Sequence, residues 1–202
     1  MLYLLAGLRG FFGPFRLFEY VTFRAGGALL TALLLCLILG PMTVRLLKHL
    51  RTVAPQRLGG LVDEKFIDRN KDKTPSMGGI LIVASIVIST ILWANLANKL
   101  VIIFLSVLVS LSLLGFLDDF AKVAYGRRDG IPGRLKLAFQ ALIAVVALYF
   151  FDSLPETGTL LRDLTMPFVK YPVLVGMPVL LAYCFGTLVV VGSSNAVNLT
   201  DG

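Results

Sequence analysis

Asp118 and Asp119 stand side by side at the end of VSLSLLGFLDD, a stretch whose other residues are apolar or small. A carboxylate placed in the hydrocarbon of a bilayer costs about 2.5–3.5 kcal/mol on insertion scales. Neighbours on a helix point about 100° apart, so the two acids face one partner only if the helix ends with them. A helix that simply ends in solvent is the plain alternative. It is weakened because acids oppose the negative end of the helix dipole. The pair therefore calls for a compensating cation, a lysine or a metal. Mg²⁺ suits best, since it takes hard oxygen ligands and commonly binds one or two carboxylates together with substrate phosphate.

A second group closes the chain in NAVNLTDG, where Asn195, Asn198 and Asp201 recur every three residues and so share one side of a helical turn. Asparagine amides can bind a base edge or a sugar, and Asp201 can accept from a hydroxyl or bind a metal. A polar cap ending a helix at Gly202 accounts for the same residues. A third group is KDKTPSMGG, in which Pro75 favours a helix start, Thr74 or Ser76 can cap it, and Gly78 and Gly79 permit close approach. Lys71 and Lys73 stand just outside, suited as point charges to phosphate or to anchoring at headgroups. Lys136, in RRDGIPGRLKLAFQ, faces the same choice between headgroups and a site.

These groups must be positioned by membrane helices. The chain has 202 residues, 57% hydrophobic and only 15% charged, against about 25% charged in soluble domains. About 20 helical residues cross the hydrocarbon. Five runs meet or approach that length, at 25–44, 74–98, 100–117, 137–151 and 171–200. The last exceeds one span, so its end is expected to be loop or a broken helix. Residues 1–22 mix Phe, Leu, Tyr and spaced Arg, as in a segment lying at the interface, and lack the basic start of a signal peptide. The expected fold is all-α, a single polytopic membrane domain over 1–202 with about five transmembrane helices.

Basic residues sort the loops. Residues 45–73 and 120–136 together hold thirteen Lys and Arg, whereas the 98–100 turn and the 152–170 loop hold three. The positive-inside rule makes the first two cytoplasmic, the 152–170 loop extracytoplasmic, and the N-terminus outside. The net charge of +7 is thus a topology signal, and no nucleic-acid partner is expected. Span counting then brings the aspartate pair, the KDKTPSMGG entrance and the NAVNLTDG end to one cytoplasmic surface. Cys36 and Cys184 lie in apolar runs and are expected to be small buried hydrophobes, and His49 is the only histidine. No zinc spacing exists.

Together the stretches YVTFRAGGALLTAL, KDKTPSMGGI, GFLDDFAKV and NAVNLTDG resemble, in order and spacing, the bacterial phospho-N-acetylmuramoyl-pentapeptide transferases. The resemblance implies a Mg²⁺-dependent transfer from UDP-MurNAc-pentapeptide to undecaprenyl phosphate, forming lipid I and UMP for peptidoglycan. It implies a multi-pass enzyme of the bacterial cytoplasmic membrane, surrounded by membrane lipid, with its active site on the cytoplasmic face. A homodimer is compatible with such a chain. By resemblance Asp118 is the candidate base, with Asp119 beside it and both able to hold the metal. Lys71 is the phosphate-side lysine, Asn195, Asn198 and Asp201 form the nucleotide-side cluster with Asp201 also catalytic, and Lys136 is the fourth-helix lysine that binds substrate.

The chain departs from that pattern in places. Lys73 stands where the family usually has Gly before Thr-Pro, and Ser76 replaces Thr. The family has about ten spans, a further aspartate motif and a histidine-rich loop. The chain is therefore expected to be the N-terminal half of such an enzyme, and these 202 residues alone are expected not to turn over substrate. A sister transferase moving GlcNAc-1-phosphate to a polyprenyl phosphate shares the aspartate pair and the Asn/Asp group, but TFRA and TPSMGG favour the muramoyl-peptide enzyme. A transporter or proton relay would carry its acids near the bilayer midplane, not at its rim.

Overall fold

A computed structural model of the chain describes residues 1–49, 78–125, 130–155 and 157–200. Apart from one isolated bridge between Leu164 and Leu174, the regular structure among them is helical. Two 3₁₀ segments, Leu2–Leu8 and Gly13–Glu19, precede α1 (Val21–His49), α2 (Gly79–Trp93) and α3 (Lys99–Tyr125). Then follow α4 (Gly133–Asp152), the single turn α5 (Gly158–Leu161) and α6 (Val179–Thr200). Four of these, α1, α3, α4 and α6, are long and apolar enough to cross a membrane. α2 is equally apolar but has 15 residues, roughly 22 Å at 1.5 Å each; residues 50–77 before it lie outside the described residues. The chain is an all-α, polytopic membrane protein. Its apolar side chains lie mostly on the outside of the helices, as hydrocarbon requires.

The chain divides into two compact units, 1–131 and 132–202. In the first, α1 packs along α2, and α2 meets α3. The seam between α1 and α2 is closed by Trp93, whose ring lies so close to Gly27 that a Cβ there would sit 2.5 Å from the indole. The indole N–H donates to Thr31 Oγ at 2.9 Å, and that hydroxyl donates to the Gly27 carbonyl at 2.7 Å. Phe18 stacks on Trp93 at 5.8 Å and Phe23 meets it edge-on at 5.9 Å. The second 3₁₀ segment is thereby tied to α2, and Phe18 also meets Phe23 of α1 edge-on at 5.3 Å. The Met1 ammonium donates to the carbonyls of Ile91 and Leu92, each at 3.0 Å, and places a cation at the negative end of α2.

In the second unit α4 and α6 run antiparallel. Gln140 meets Ser194 and Asn195, Leu148 meets Gly186, and Asp152 meets Tyr183, each step down one helix matching a step up the other. Gly186 lets the helices close here: an added Cβ would lie 3.0 Å from the Leu148 methyls, which would have to give by a few tenths of an ångström. The loop between the helices is pinned by Asp152 to Arg162 at 3.8 Å and by Met177 N–H to the Arg162 carbonyl at 2.8 Å.

Several expected boundaries move. α3 does not end at Asp118 and Asp119 but continues to Tyr125, and α4 starts at Gly133. The expected 120–136 loop therefore shrinks to the residues between these helices. The 45–73 loop likewise loses residues 45–49 to α1, and α5 interrupts the 152–170 loop. The long run 171–200 is irregular at its start rather than its end. Pro172 and Pro178 punctuate that start, and Gly176 adopts φ +67°, which glycine takes without strain. The cysteines are less enclosed than expected: Cys184 is exposed and Cys36 half-buried.

Candidate active site

The continuation of α3 changes the electrostatics of the aspartate pair. Lys122 falls three residues after Asp119 and four after Asp118, the spacing at which side chains meet on a helix. Its Nζ lies 2.8 Å from Asp118 Oδ2 and 2.8 Å from Asp119 Oδ1. The two acids thus share one partner without the helix ending, because the lysine stem reaches between them. The expected compensating cation is present in the same helix.

The two carboxylates are not equivalent. The Asp118 side chain is 7% exposed and that of Asp119 is 43% exposed. Asp118 Oδ1 accepts the Ile131 N–H at 2.9 Å. That approach depends on Gly130, where a Cβ would stand 2.7 Å from the Asp118 carbonyl and closer still to its carboxylate. Phe116 and Phe120 stack along the same stretch of helix at 6.1 Å. Asp118 is therefore held from two sides, by charge and by a backbone donor, while Asp119 keeps access to solvent or ligand. Among the described residues no group of three or more His, Cys, Asp or Glu gathers as a metal cage. Both oxygens of Asp118 are already engaged, by Lys122 and by the Ile131 N–H, so Asp119 is the carboxylate of the pair open to a further partner.

The polar end of the second unit is built on the α4–α6 pair. Gln140 is 2% exposed. Its Nε2 donates to Ser194 Oγ at 3.2 Å, and its Oε1 accepts from Asn195 Nδ2 at 2.7 Å. Asn195 Nδ2 also donates to the Val191 carbonyl at 2.8 Å. Lys136 lies one turn before Gln140 on α4, and residue 198 lies one turn beyond Ser194 on α6, so the antiparallel register brings them to one level. The first turn of α4 contains Arg134 and no acid. Cations at the positive end of a helix favour an anionic neighbour.

Of the residues singled out in the sequence, Asp118 and Asp119 are brought together in the first unit, and Lys136, Asn195 and Asn198 share one end of the second. Lys71 and Asp201, with Thr74, Pro75 and Ser76, lie outside the described residues. Gln140 and the Ile131 N–H are the groups that sequence reasoning missed, and Lys122 is the lysine that it allowed for without pairing it to the acids. The spacing of Lys122 to the acids is the signal for it, and Gln140 stands out as the one amide in the run LAFQALIAVVALYFF. The Ile131 N–H left no sequence signal beyond the glycine before it.

Comparison with known proteins gives the family. The model for "Glycosyl transferase family 4" matches residues 100–202, just over half the chain, which belongs to that family. Within it the chain is homologous to the phospho-N-acetylmuramoyl-pentapeptide transferases: their signature 1 matches residues 71–83. A relative of that name from Methylacidiphilum infernorum (isolate V4) is 40% identical over 203 residues, covering 100% of this chain and 55% of the relative. One from Endomicrobium trichonymphae is 41% identical, covering 96% and 52%. One from Granulibacter bethesdensis (strain ATCC BAA-1260 / CGDNIH1) is 42% identical, covering 93% and 51%. The chain spans about half the length of the curated relatives it matches. It is a multi-pass protein of the bacterial inner membrane.

Proposed function

We propose that the full-length protein transfers phospho-N-acetylmuramoyl-pentapeptide from UDP-MurNAc-pentapeptide to undecaprenyl phosphate. The observation that carries this reading is the identity of 37–42%, along 93–100% of the chain, to proteins named for that transfer. An oxygen of the lipid phosphate attacks the phosphorus that bears the sugar. The bond from that phosphorus to the bridging oxygen breaks, and UMP leaves with the electron pair. The products are UMP and the lipid-linked pyrophosphate.

In this reading the chemistry is positioning plus charge stabilisation, as in other phosphoryl transfers. Asp119, the more accessible carboxylate, would hold the cation that meets the phosphates. Asp118, fixed by Lys122 and Ile131, keeps the acceptor phosphate unprotonated. Both suit Mg²⁺ as ligands, and the ion when bound neutralises phosphate charge. Lys71 takes the phosphate side, Asn195, Asn198 and Asp201 the nucleotide side with Asp201 assisting in catalysis, and Lys136 binds substrate from α4. Positive-inside counting puts this work at the cytoplasmic face, where a soluble nucleotide arrives.

The test is to incubate the full-length protein with undecaprenyl phosphate, Mg²⁺ and either UDP-MurNAc-pentapeptide or UDP-GlcNAc. UMP release with the first substrate alone supports the proposal. Release with UDP-GlcNAc alone assigns the protein to the sister transferases.

A further inference from the structure

Asn195 is half-buried in α6, and its amide is fully constrained. The Val191 carbonyl can only accept, so the group facing it at 2.8 Å is the NH₂ of Asn195 and not its oxygen. The same NH₂ meets Gln140 at 2.7 Å, so Gln140 must present its oxygen there and its own NH₂ to Ser194. One backbone carbonyl thus fixes the orientation of the whole chain of amides. Both protons of Asn195 Nδ2 are engaged within the helix pair. What Asn195 retains for a ligand is its carbonyl Oδ1, an acceptor.

We infer that Gln140 is a positioning residue that commits Asn195 to accept a hydrogen bond, so that the group it receives on the nucleotide is a donor, an imide N–H or a ribose hydroxyl. The inference rests on the proposed role of Asn195 at the nucleotide end. Gln140 itself is shut off from any ligand by its burial and acts only through Asn195. With Gln140 removed, the Val191 carbonyl still holds one Nδ2 proton, but the amide loses its second tether, so the freed proton points unpaired toward the site and Oδ1 is no longer held in one direction for the ligand. The buried position also explains why a polar residue stands within an apolar helix: an amide in this setting is tolerated when all its groups are paired.

The experiment uses the full-length protein and reads the KM for UDP-MurNAc-pentapeptide, the KM for undecaprenyl phosphate, and the Kd for UMP. Gln140→Met is expected to raise the nucleotide KM and the UMP Kd about tenfold, the worth of one hydrogen bond. The lipid-phosphate KM should move by less than about twofold. In an Asn195→Ala background the Gln140→Met change should have no further effect, since neighbours acting through one another are not additive. An unchanged nucleotide KM, or full additivity in the double variant, overturns the inference. If Gln140→Met does not fold, Gln140→Glu replaces it, because its carboxyl retains the acceptor toward Asn195. It should hold the nucleotide KM within about threefold of wild type, and a tenfold rise overturns the inference. A wild-type protein that releases no UMP refutes the transferase reading instead, which separates the two failures.

Discussion

Lys122 Nζ lies 2.8 Å from Asp118 Oδ2, one turn along α3, where both side chains are largely hidden from solvent. An ion pair in this setting matters most when one member is removed. Breaking a buried pair leaves an uncompensated charge and costs about 3–5 kcal/mol. Lys122→Met should therefore lower the thermal unfolding midpoint of the detergent-solubilised protein by several degrees. It also leaves two adjacent carboxylates with no cation, so added Mg²⁺ should restore more of the midpoint than it adds to wild type. A variant with the wild-type midpoint and no added response to Mg²⁺ would show that the lysine does not balance the pair.

Gly130 makes a sharper probe of Asp118 alone, because an alanine methyl would collide with that residue's carbonyl and carboxylate. Overpacking of this kind costs about 1–3 kcal/mol. The expected result for Gly130→Ala is a transfer rate at least about tenfold lower with a smaller change in stability. Wild-type turnover would mean that the Ile131 contact is dispensable.

At the far end of the same unit, Gly27→Ala should destabilise by about 1–3 kcal/mol, since the Trp93 ring, packed against Phe18 and Phe23, would have to shift to admit the methyl. Trp93→Phe should cost about 0.5–1.5 kcal/mol for the lost bond to Thr31. Denaturant or thermal unfolding of each variant checks the order, with Gly27→Ala the more harmful if the ring seat is as tight as it stands.

The spans were legible because long apolar runs permit little else. Their ends were not, and the reason is physical. Asp118 and Asp119 look like a boundary when each charge is counted singly, yet Lys122 neutralises them inside the helix and lets it run on to Tyr125. Arg134 and Lys136 mislead in the same way at the start of α4. The start of α6 was legible in Pro172, Gly176 and Pro178 but was outweighed by hydropathy. Gln140 and Trp93 gain their meaning only from partners 54 and 62 residues away, which no local pattern reports. The aspartate pair and Asn195 were identified by residue type and motif, but not the side chains that orient them.

Sidedness is open to labelling. With Cys36 and Cys184 replaced, a cysteine at Phe168, which is fully exposed in the loop before α6, should react with a membrane-impermeant maleimide on intact spheroplasts. A cysteine at Lys48, exposed near the end of α1, should react only after permeabilisation. The reverse pattern would invert the topology and move the proposed reaction to the wrong face for a cytoplasmic nucleotide.

The central claim is that the lysine-held aspartates serve a phosphosugar transfer. It is tested most directly by measuring UMP release from UDP-MurNAc-pentapeptide and undecaprenyl phosphate by the full-length protein and its Asp119→Asn variant. Removing the carboxylate that would hold the cation against the reacting phosphates should lower the rate by about 10²–10³, the size of loss when one charge-stabilising group is taken away, while the unfolding midpoint stays close to wild type because Asp119 is half-exposed. UMP release by the folded variant at the wild-type rate would contradict the account.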